Sequence, residues 1–315
     1  MAKILVTGGA GFIGSNLTEK LVKLGHSVTV IDNLSHGSLD NLAGVKGQIE
    51  FINGDLLNAD ILESCLAGKD YALHLAANSS VNASLEKPAW SASQNILATV
   101  QLLELCAKHK IKRVVLSSSA AVYGYQKELP VKESVHIVPA SPYALEKITG
   151  ENYMKLFSSL SDIDTVCLRY FNVFGPRQNA DLPHPGGVTI VVEQLYRKGK
   201  SQLMGDGRQT RDMIYVDNVV NANILAMQKK ERCGGSVYNI ATGSSIVVAD
   251  MHAKIAELMG VPPGKEFIPL PEGNILDSLA DKTLAEKDLG FSIEVGYEEG
   301  LKRTIDWCYR QNGWN

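Results

Sequence analysis

The chain has 315 residues, of which 45% are hydrophobic and 21% are charged, proportions typical of a folded globular protein and not of a disordered or low-complexity one. Its 31 basic and 34 acidic residues give a net charge of -3 without a long run of one sign, so neither nucleic acid nor an acidic membrane surface is an expected partner. Five scattered cysteines form no Cys-x-x-Cys pair, which indicates reduced thiols in a cytoplasmic enzyme without a metal site, and no apolar run is long enough for a signal peptide or a membrane span.

Short apolar runs alternate with helical spacing from the start of the chain. Residues 4–6 and 28–31 are typical of strands, and residues 13–24 between them have the spacing of a helix, which together predict a β-α-β unit. The alternation continues, and it predicts an α/β fold with a doubly wound parallel sheet that is covered on both faces. Further predicted strands cover residues 49–52, 71–75, 114–116 and 165–168, and further predicted helices cover residues 90–109 and 143–158.

The composition and the spacing of apolar residues change after residue 171. A polar, turn-rich stretch at residues 181–187 contains two prolines, and the later apolar runs are sparser and interrupted by proline and glycine. We therefore predict a first domain over residues 1–171 and a smaller C-terminal lobe over residues 172–315, which closes over the first domain and is partly interleaved with it.

A glycine-rich segment, residues 7–14 (TGGAGFIG), lies directly between the first predicted strand and the first predicted helix. Its glycines permit a tight turn and let backbone N–H groups meet a pyrophosphate at the helix N-terminus. Asp32 ends the second predicted strand, at the spacing expected of an acid that binds the ribose hydroxyls of adenosine. Because a carboxylate there would repel a 2′-phosphate, the sequence predicts NAD and not NADP as the cofactor.

The pattern Tyr-x-x-x-Lys occurs three times, at residues 123–127, 143–147 and 196–200, so the pattern alone identifies no catalytic pair. Gly124 argues against a helix at the first match, and Gly199 places the third across the end of a helix. Only the second match lies within one predicted helix.

The second match begins that helix, because Ser141 supplies an N-cap and Pro142 suits the first helical position. Tyr143 and Lys147 should then lie one turn apart on one face, where the ammonium can lower the phenol pKa and make tyrosinate a usable general base. The alternative is a partly buried tyrosine beside an unrelated surface lysine. The serines at residues 117–119 argue against it, because they place hydroxyl groups at the carboxyl edge of the sheet, where ligands of such folds bind.

Taken together, these segments resemble the extended short-chain dehydrogenase/reductase family, and more narrowly its nucleotide-sugar 4-epimerases of the UDP-glucose and UDP-N-acetylglucosamine type. The resemblance covers nearly the whole chain and implies a Rossmann fold, an isomerase that uses NAD, and a homodimer formed through the two helices around residues 90–109 and 143–158. It rests on residues 7–14 (TGGAGFIG), 32 (D), 55–56 (DL), 74–77 (HLAA), 117–124 (SSSAAVYG), 143–147 (YALEK) and 169–172 (RYFN).

The resemblance also implies roles for individual residues. Ser119 would hydrogen-bond the 4-hydroxyl of the sugar, Tyr143 would take its proton, and Lys147 would hold the nicotinamide ribose. The positions that match the NAD-binding residues of the family are Gly8, Gly11, Phe12, Ile13, Gly14, Asp32, Asn33, Asp55, Leu56, Ala76, Asn95, Tyr143, Lys147 and Tyr170. The positions that match its nucleotide-sugar-binding residues are Ser119, Tyr143, Asn172, Val188, Arg211 on the diphosphate, and Ser278.

The residues after Ser119 bear on the reaction. Relatives that are dehydratases or decarboxylases have acids there, whereas this chain has Ala120 and Ala121. The simplest chemistry is oxidation at C4, rotation of the 4-keto sugar and return of the hydride to its other face, which regenerates NAD at each turnover. A nucleotide-sugar dehydratase or a UDP-uronate 4-epimerase is the alternative within the family. A non-catalytic NAD-sensing protein is the alternative of another class, although a sensor has no need of all three catalytic residues.

The chain departs from the family at two positions, and a third position bears on the choice of sugar. The arginine that usually forms a second clamp on the diphosphate aligns with Pro271, so either Arg177 or Arg208 compensates or the end of the substrate differs from UDP. Ser79 stands where some relatives have a lysine near the cofactor. Ser278 aligns with a gate position that is often tyrosine in relatives restricted to plain hexoses and small in relatives that accept N-acetylated sugars. We therefore expect turnover of both sugar pairs, unless Ser278 is merely a small loop residue.

Overall fold

A computed structural model describes residues 1–178, 187–270 and 276–314, so most of the turn-rich stretch at residues 181–187 lies outside the described residues. The strands, in chain order, are β1 (Lys3–Thr7), β2 (Ser27–Asp32), β3 (Ile49–Asn53), β4 (Tyr71–His74), β5 (Arg113–Ser119), β6 (Asp164–Tyr170), β7 (Asn172–Phe174), β8 (Ser201–Met204), β9 (Thr210–Tyr215), β10 (Ser236–Ile240), β11 (Ser245–Val247) and β12 (Lys265–Ile268). The α-helices are α1 (Phe12–Lys23), α2 (Ala59–Leu66), α3 (Val81–Glu86), α4 (Pro88–Ala92), α5 (Ala98–Lys108), α6 (Pro142–Leu160), α7 (Gly187–Lys198), α8 (Val216–Gln228), α9 (Val248–Met259), α10 (Thr283–Leu289) and α11 (Tyr297–Asn312).

Seven strands form one parallel sheet in the order β10-β6-β5-β4-β1-β2-β3. Successive residues of β1 alternate between two cores: Ile4 and Val6 pack on the face that α1 and α8 cover, and Leu5 packs on the face that α2 and α5 cover. The predicted doubly wound α/β fold is therefore confirmed. Strands β2 and β3 follow on one side of β1, and β4 pairs with β1 on its other side. This reversal of strand order creates a crevice at the carboxyl ends of the strands.

The predicted helix at residues 90–109 is present, with one interruption. Helices α4 and α5 continue into each other through a π-helical turn at Ser93–Leu97. Such turns insert one extra residue per turn and so redirect the side chains that follow. Here the turn carries Asn95, whose side chain is buried.

The second half of the chain contributes to the main sheet and also builds two small sheets. Strand β10 pairs with β6 at the edge of the main sheet, whereas β7, β9 and β11 form a three-stranded sheet and β8 pairs with β12. The division into domains at residue 171 stays a prediction. All five cysteines are buried and free, and no helix among residues 1–178, 187–270 and 276–314 is long and apolar enough to cross a membrane.

Candidate active site

A cleft of about 370 Å³ opens at the carboxyl ends of the neighbouring strands β1 and β4. Its walls come from the carboxyl ends of the strands from β1 to β6 and from the first turns of α1 and α6. The predicted site residues that line it are Gly8, Gly11, Phe12, Ile13, Gly14, Asp32, Asn33, Asp55, Leu56, Ala76, Ser119, Tyr143, Lys147 and Tyr170, and Ser79 lines it as well.

The turn between β1 and α1 requires glycine at two positions. Gly8 has a φ of +67°, and a Cβ there would lie 2.6 Å from the backbone nitrogen of Ala76. A Cβ on Gly14 would lie 2.1 Å from the carbonyl oxygen of Gly8. Helix α1 starts at this turn with Gly11 as its N-cap, and no described side chain caps it. Its N–H groups therefore suit a pyrophosphate, and the turn fits a dinucleotide.

Asp32 is fixed at the end of β2 by two backbone hydrogen bonds. Its Oδ2 accepts from the N–H of Ala10 at 2.9 Å and its Oδ1 accepts from the N–H of Leu34 at 2.8 Å. Asn33, the next residue, donates from its side-chain amide to a carboxylate oxygen of Asp55 at 3.1 Å. Each Asp32 oxygen keeps a second lone pair, so the carboxylate can accept hydrogen bonds from ribose hydroxyls. Its negative charge disfavours a 2′-phosphate.

Ser119, Tyr143 and Lys147 meet at the other side of the cleft. Ser119 ends β5, and its hydroxyl hydrogen-bonds the Tyr143 phenol. Helix α6 starts as predicted: Ser141 Oγ accepts from the N–H of Ala144 at 3.2 Å, and proline occupies the first turn. The Lys147 Nζ lies 5.8 Å from the centroid of the Tyr143 ring and donates to the carbonyl oxygen of residue 117 at 2.8 Å.

Burial controls the protonation of this pair. It raises the pKa of Tyr143, which the hydrogen bond from Ser119 only partly offsets. It also lowers the pKa of Lys147 to about 8. The prediction that the ammonium brings the phenol pKa below its ordinary value is therefore wrong for this chain, because the cost of a buried phenolate outweighs the stabilising contacts.

The two other Tyr-x-x-x-Lys matches lie away from the cleft. Tyr123 ends a short 3₁₀ turn behind the site, accepts from Arg169 at 2.9 Å and has a pKa raised to about 12 by burial. Arg169 in turn forms a buried ion pair with Glu151 at 2.7 Å. Tyr196 is in the last turn of α7 and stacks on Trp314 with ring centroids 4.0 Å apart. Both tyrosines have structural contacts that account for them.

Residues 4–241 match the family described as the NAD dependent epimerase/dehydratase family. The chain belongs to this family. It is 36% identical to the UDP-glucose 4-epimerase of Mycolicibacterium smegmatis, with 97% of this chain and 98% of that one covered. Among solved structures it resembles the UDP-N-acetylglucosamine 4-epimerase of Methanobrevibacter ruminantium M1 in complex with UDP-N-acetylmuramic acid (TM-score 0.93, 37% identity, 98% and 99% covered). It also resembles the UDP-glucose 4-epimerase of Thermotoga maritima with UDP-glucose (TM-score 0.92, 36% identity, 98% and 99% covered).

Four of the positions matched to the nucleotide-sugar-binding residues of the family do not line the cleft, and three of these four lie together. Asn172 donates from its side-chain amide to the carbonyl oxygen of Asp212 at 3.0 Å and to Ser278 Oγ at 3.5 Å. Arg211 lies beside them on β9 and donates to the carbonyl oxygens of Thr210 and Leu276. The residues on both sides of Asn172 line the cleft, so this group lies next to it. Val188, the fourth position, is completely buried, and its side chain belongs to the core.

Asn95, also matched to the NAD-binding residues of the family, lies beneath the cleft instead of lining it. Its side chain accepts from the N–H of Asn78 at 2.8 Å and donates to the carbonyl oxygen of the same residue at 3.0 Å. Because Asn78 lines the cleft, Asn95 shapes the site through a neighbour.

Among the described residues, no arginine lines the cleft as a second clamp on the diphosphate. Pro271, with Glu272, Gly273 and Asn274 beside it, lies outside the described residues. Arg177 forms an ion pair with Glu19 of α1, and Arg208 is exposed and paired with Asp206 at 2.9 Å. Neither arginine lines the cleft, and compensation by either of them stays a prediction.

Sequence reasoning missed other residues of the cleft. Most follow the carboxyl ends of the strands, and the rule that ligands bind there could have found them. Trp90 and Gln94 lie on the helical segment after β4 and had no signal in the sequence. The missed lining residues are Ile31, Ser35, His36, Gly37, Gly54, Leu75, Ala77, Asn78, Trp90, Gln94, Ala98, Phe171, Val173 and Gln178. Ser117 and Ser118, whose hydroxyl groups were predicted at this edge of the sheet, line the cleft as well.

Proposed function

We propose that this protein is an NAD-dependent nucleotide-sugar 4-epimerase that inverts C4 of a UDP-hexose through a transient 4-keto sugar. One observation carries the proposal: a single cleft joins a turn suited to a dinucleotide with Ser119, Tyr143 and Lys147. Membership of the NAD dependent epimerase/dehydratase family supports the use of NAD, and the likeness to two kinds of 4-epimerase supports the reaction.

The residues of the chain have distinct tasks in this reaction. NAD supplies a reversible acceptor for the hydride of C4. The Tyr143 Oη removes the proton of the sugar 4-hydroxyl. It returns a proton to the same oxygen after the 4-keto sugar has rotated in the cleft. Ser119 hydrogen-bonds both the phenol and that sugar oxygen, which fixes the distance of proton transfer. The Lys147 ammonium supplies the positive charge that favours tyrosinate.

The cleft favours epimerisation over dehydration. Among the described residues, the carboxylates that line it are Asp32, which ends β2, and Asp55, which follows β3, both at the opposite side from Ser119. Ala120 and Ala121 follow Ser119 in a 3₁₀ turn. Because neither of these described carboxylates lies beside Ser119 to move a second proton, we expect the 4-keto sugar to be reduced again and not to eliminate water.

A panel assay tests the proposal. Purified protein is incubated with UDP-glucose, UDP-N-acetylglucosamine and UDP-glucuronate without added cofactor, and products are resolved by NMR. We expect the C4 epimers of the first two sugars and no consumption of cofactor. A stable 4-keto product would indicate a dehydratase, and epimerisation of UDP-glucuronate alone would indicate a uronate epimerase. NAD bound without turnover of any sugar would indicate a sensor.

The same proposal includes a homodimer in the cytoplasm. Leu145, Leu156 and Leu160 are exposed on α6, and Leu97 is exposed at the end of the adjoining π-helical turn. A second copy of the chain would cover this apolar surface. The free state of all five cysteines supports a reducing compartment.

Light scattering tests the dimer. The unmodified chain should have twice the mass of one chain, and Leu156→Glu should give a monomer, because it places a charge in the interface. Leu24→Glu, at an exposed leucine after α1, is the matched control and should remain a dimer. A monomeric parent protein would contradict the proposal.

A further inference from the structure

A buried carboxylate directly precedes the catalytic lysine and has no task in the mechanism above. Glu146 is 4% exposed. Its Oε2 accepts from the Ser91 hydroxyl at 2.8 Å and from the Asn95 side-chain amide at 2.6 Å. Its Oε1 makes no hydrogen bond with any residue in the described part of the chain. Burying a carboxylate is costly, so an incompletely bonded one beside an active site points to a function.

Glu146 and Lys147 border the same small cavity. The cavity has a volume of about 10 Å³, room for one water molecule, and lies directly beneath the cleft, since Ala76 and Ala77 line both. Asn95 lines it too and connects Glu146 to Asn78 at the cleft surface. The carboxylate is thus joined on one side to the floor of the cleft and faces the lysine on the other.

The other groups around Lys147 leave Glu146 as its counter-charge. From β4, His74 contributes no charge, because burial lowers its pKa to about 3 and threonines hold both ring nitrogens. From β6, Cys167 stays a thiol, because burial raises its pKa. On α6, the raised pKa of Tyr143 keeps it a phenol at neutral pH.

Glu151 is the other carboxylate near Lys147, but it is already engaged. It pairs with Arg169 through two hydrogen bonds, at 2.7 and 2.9 Å, and accepts from the Ser118 hydroxyl. Among the groups that oppose the effect of burial on the lysine pKa, Glu146 is the strongest.

We propose that Glu146 is a positioning residue of the reaction: its buried carboxylate ties α6 to the floor of the cleft and supplies the negative charge that keeps Lys147 an ammonium. The inference rests on the proposed function, because it assumes that Lys147 acts in that reaction. In effect, Glu146 sets the pH range over which the tyrosine and lysine work together.

Glu146→Gln tests the charge while keeping the shape. Without the carboxylate, the pKa of Lys147 falls further, so the ammonium is lost at lower pH. We expect kcat/KM of the variant to stay within about threefold of the wild type at pH 6.5 and to drop to about a tenth of it at pH 9, since one unit of pKa is a tenfold change in the charged fraction. Glu257→Gln removes the same charge from an exposed position of α9 and should leave the profile unchanged.

Thermal unfolding gives a readout that needs no turnover. Because burial lowers the Lys147 pKa, the folded protein binds fewer protons there than the unfolded chain, and stability rises as pH increases above the folded-state pKa. The melting temperature of Glu146→Gln should therefore fall furthest behind the wild type at pH 6, and the gap should narrow by pH 9. This result stands even if the panel assay shows no epimerase.

A purely structural role predicts otherwise. It would lower kcat/KM of Glu146→Gln equally at every pH and keep the gap in melting temperature constant, and either result would overturn the proposal. If Glu146→Gln does not fold, Glu146→Asp decides instead, since it retains the charge. The ratio of kcat/KM of Glu146→Asp to that of the wild type should not change between pH 6.5 and 9. A tenfold decline of this ratio over that range would contradict the proposal.

Discussion

The Tyr143 side chain is deeply buried, and its phenol is hydrogen-bonded to the Ser119 hydroxyl. These two features determine the expected effect of removing the phenol oxygen. Only 9% of the residue is exposed, and Ser119 holds the phenol in place. Tyr143→Phe deletes the reacting oxygen and keeps the packed ring. We expect turnover to fall by roughly 10²- to 10⁴-fold with little change in substrate affinity, the usual effect of losing a positioned acid–base group. Steady-state kinetics on both sugar pairs measures it.

Tyr123→Phe and Tyr196→Phe are the matched controls, because the same change is made at the other two Tyr-x-x-x-Lys matches. Tyr123→Phe loses the hydrogen bonds to Arg169 and Asn239 and should cost about 1 kcal/mol of folding stability without the loss of turnover. A loss of turnover at either control as large as at Tyr143, in a folded protein, would show that the wrong tyrosine was chosen.

The pKa values of the pair predict the pH dependence of the reaction. Burial raises the pKa of the Tyr143 phenol above its usual value, so Tyr143 is mostly a phenol at neutral pH and tyrosinate becomes more abundant as pH rises. The ammonium begins to disappear near pH 8, where burial places the lysine pKa. Hence kcat/KM should rise between pH 6 and 8 and then stop rising, because the loss of ammonium cancels the gain in tyrosinate. A profile that falls from pH 6 to 8 would refute this assignment.

Whether a strand could be predicted from the sequence depends on how deeply that strand is buried. Strands β1, β2, β4, β5 and β6 are largely buried, so their residues form apolar runs that are visible in the sequence. Strand β10 was missed because it mixes Val237 and Ile240 with the buried polar Asn239, whose side chain donates to backbone carbonyls of neighbouring loops. The raised phenol pKa was missed for a related reason, since it depends on burial by distant segments and not on neighbours in sequence.

The turn between β1 and α1 permits a test at the scale of one element. A Cβ on Gly14 would lie 2.1 Å from the carbonyl oxygen of Gly8, so Gly14→Ala must distort the turn. We expect a loss of about 1–3 kcal/mol in stability and of most bound NAD, measured by melting temperature and by acid release of nucleotide. Gly44→Ala is the matched control: nothing lies within 4 Å of its Cβ, and stability should change by less than about 0.5 kcal/mol. Equal NAD content in both variants would contradict the assigned pyrophosphate site.

At the scale of the whole molecule, the two halves of the chain share both the sheet and the cleft. Strand β10 extends the main sheet, and α8 packs on α1, so the C-terminal half cannot move as a free lobe. The contacts of Asn172 with Asp212 and Ser278 then hold β7, β9 and the segment after residue 276 together beside the cleft. This arrangement brings a small side chain, Ser278, next to the cleft. Its position at the sugar pocket stays a prediction.

Ser278→Tyr tests that placement. An N-acetyl group needs space that a phenol ring would occupy, and the sugar must fit in two orientations for C4 to be reduced from both faces. We expect kcat/KM for the UDP-N-acetylglucosamine pair to fall by about 10- to 100-fold, equivalent to ~1–3 kcal/mol, while the UDP-glucose pair changes much less. Ser244→Tyr adds the same ring to an exposed loop nearby and should affect neither pair. Equal losses on both pairs, or a parent enzyme inactive on the acetylated pair, would show that another residue forms the wall of the sugar pocket.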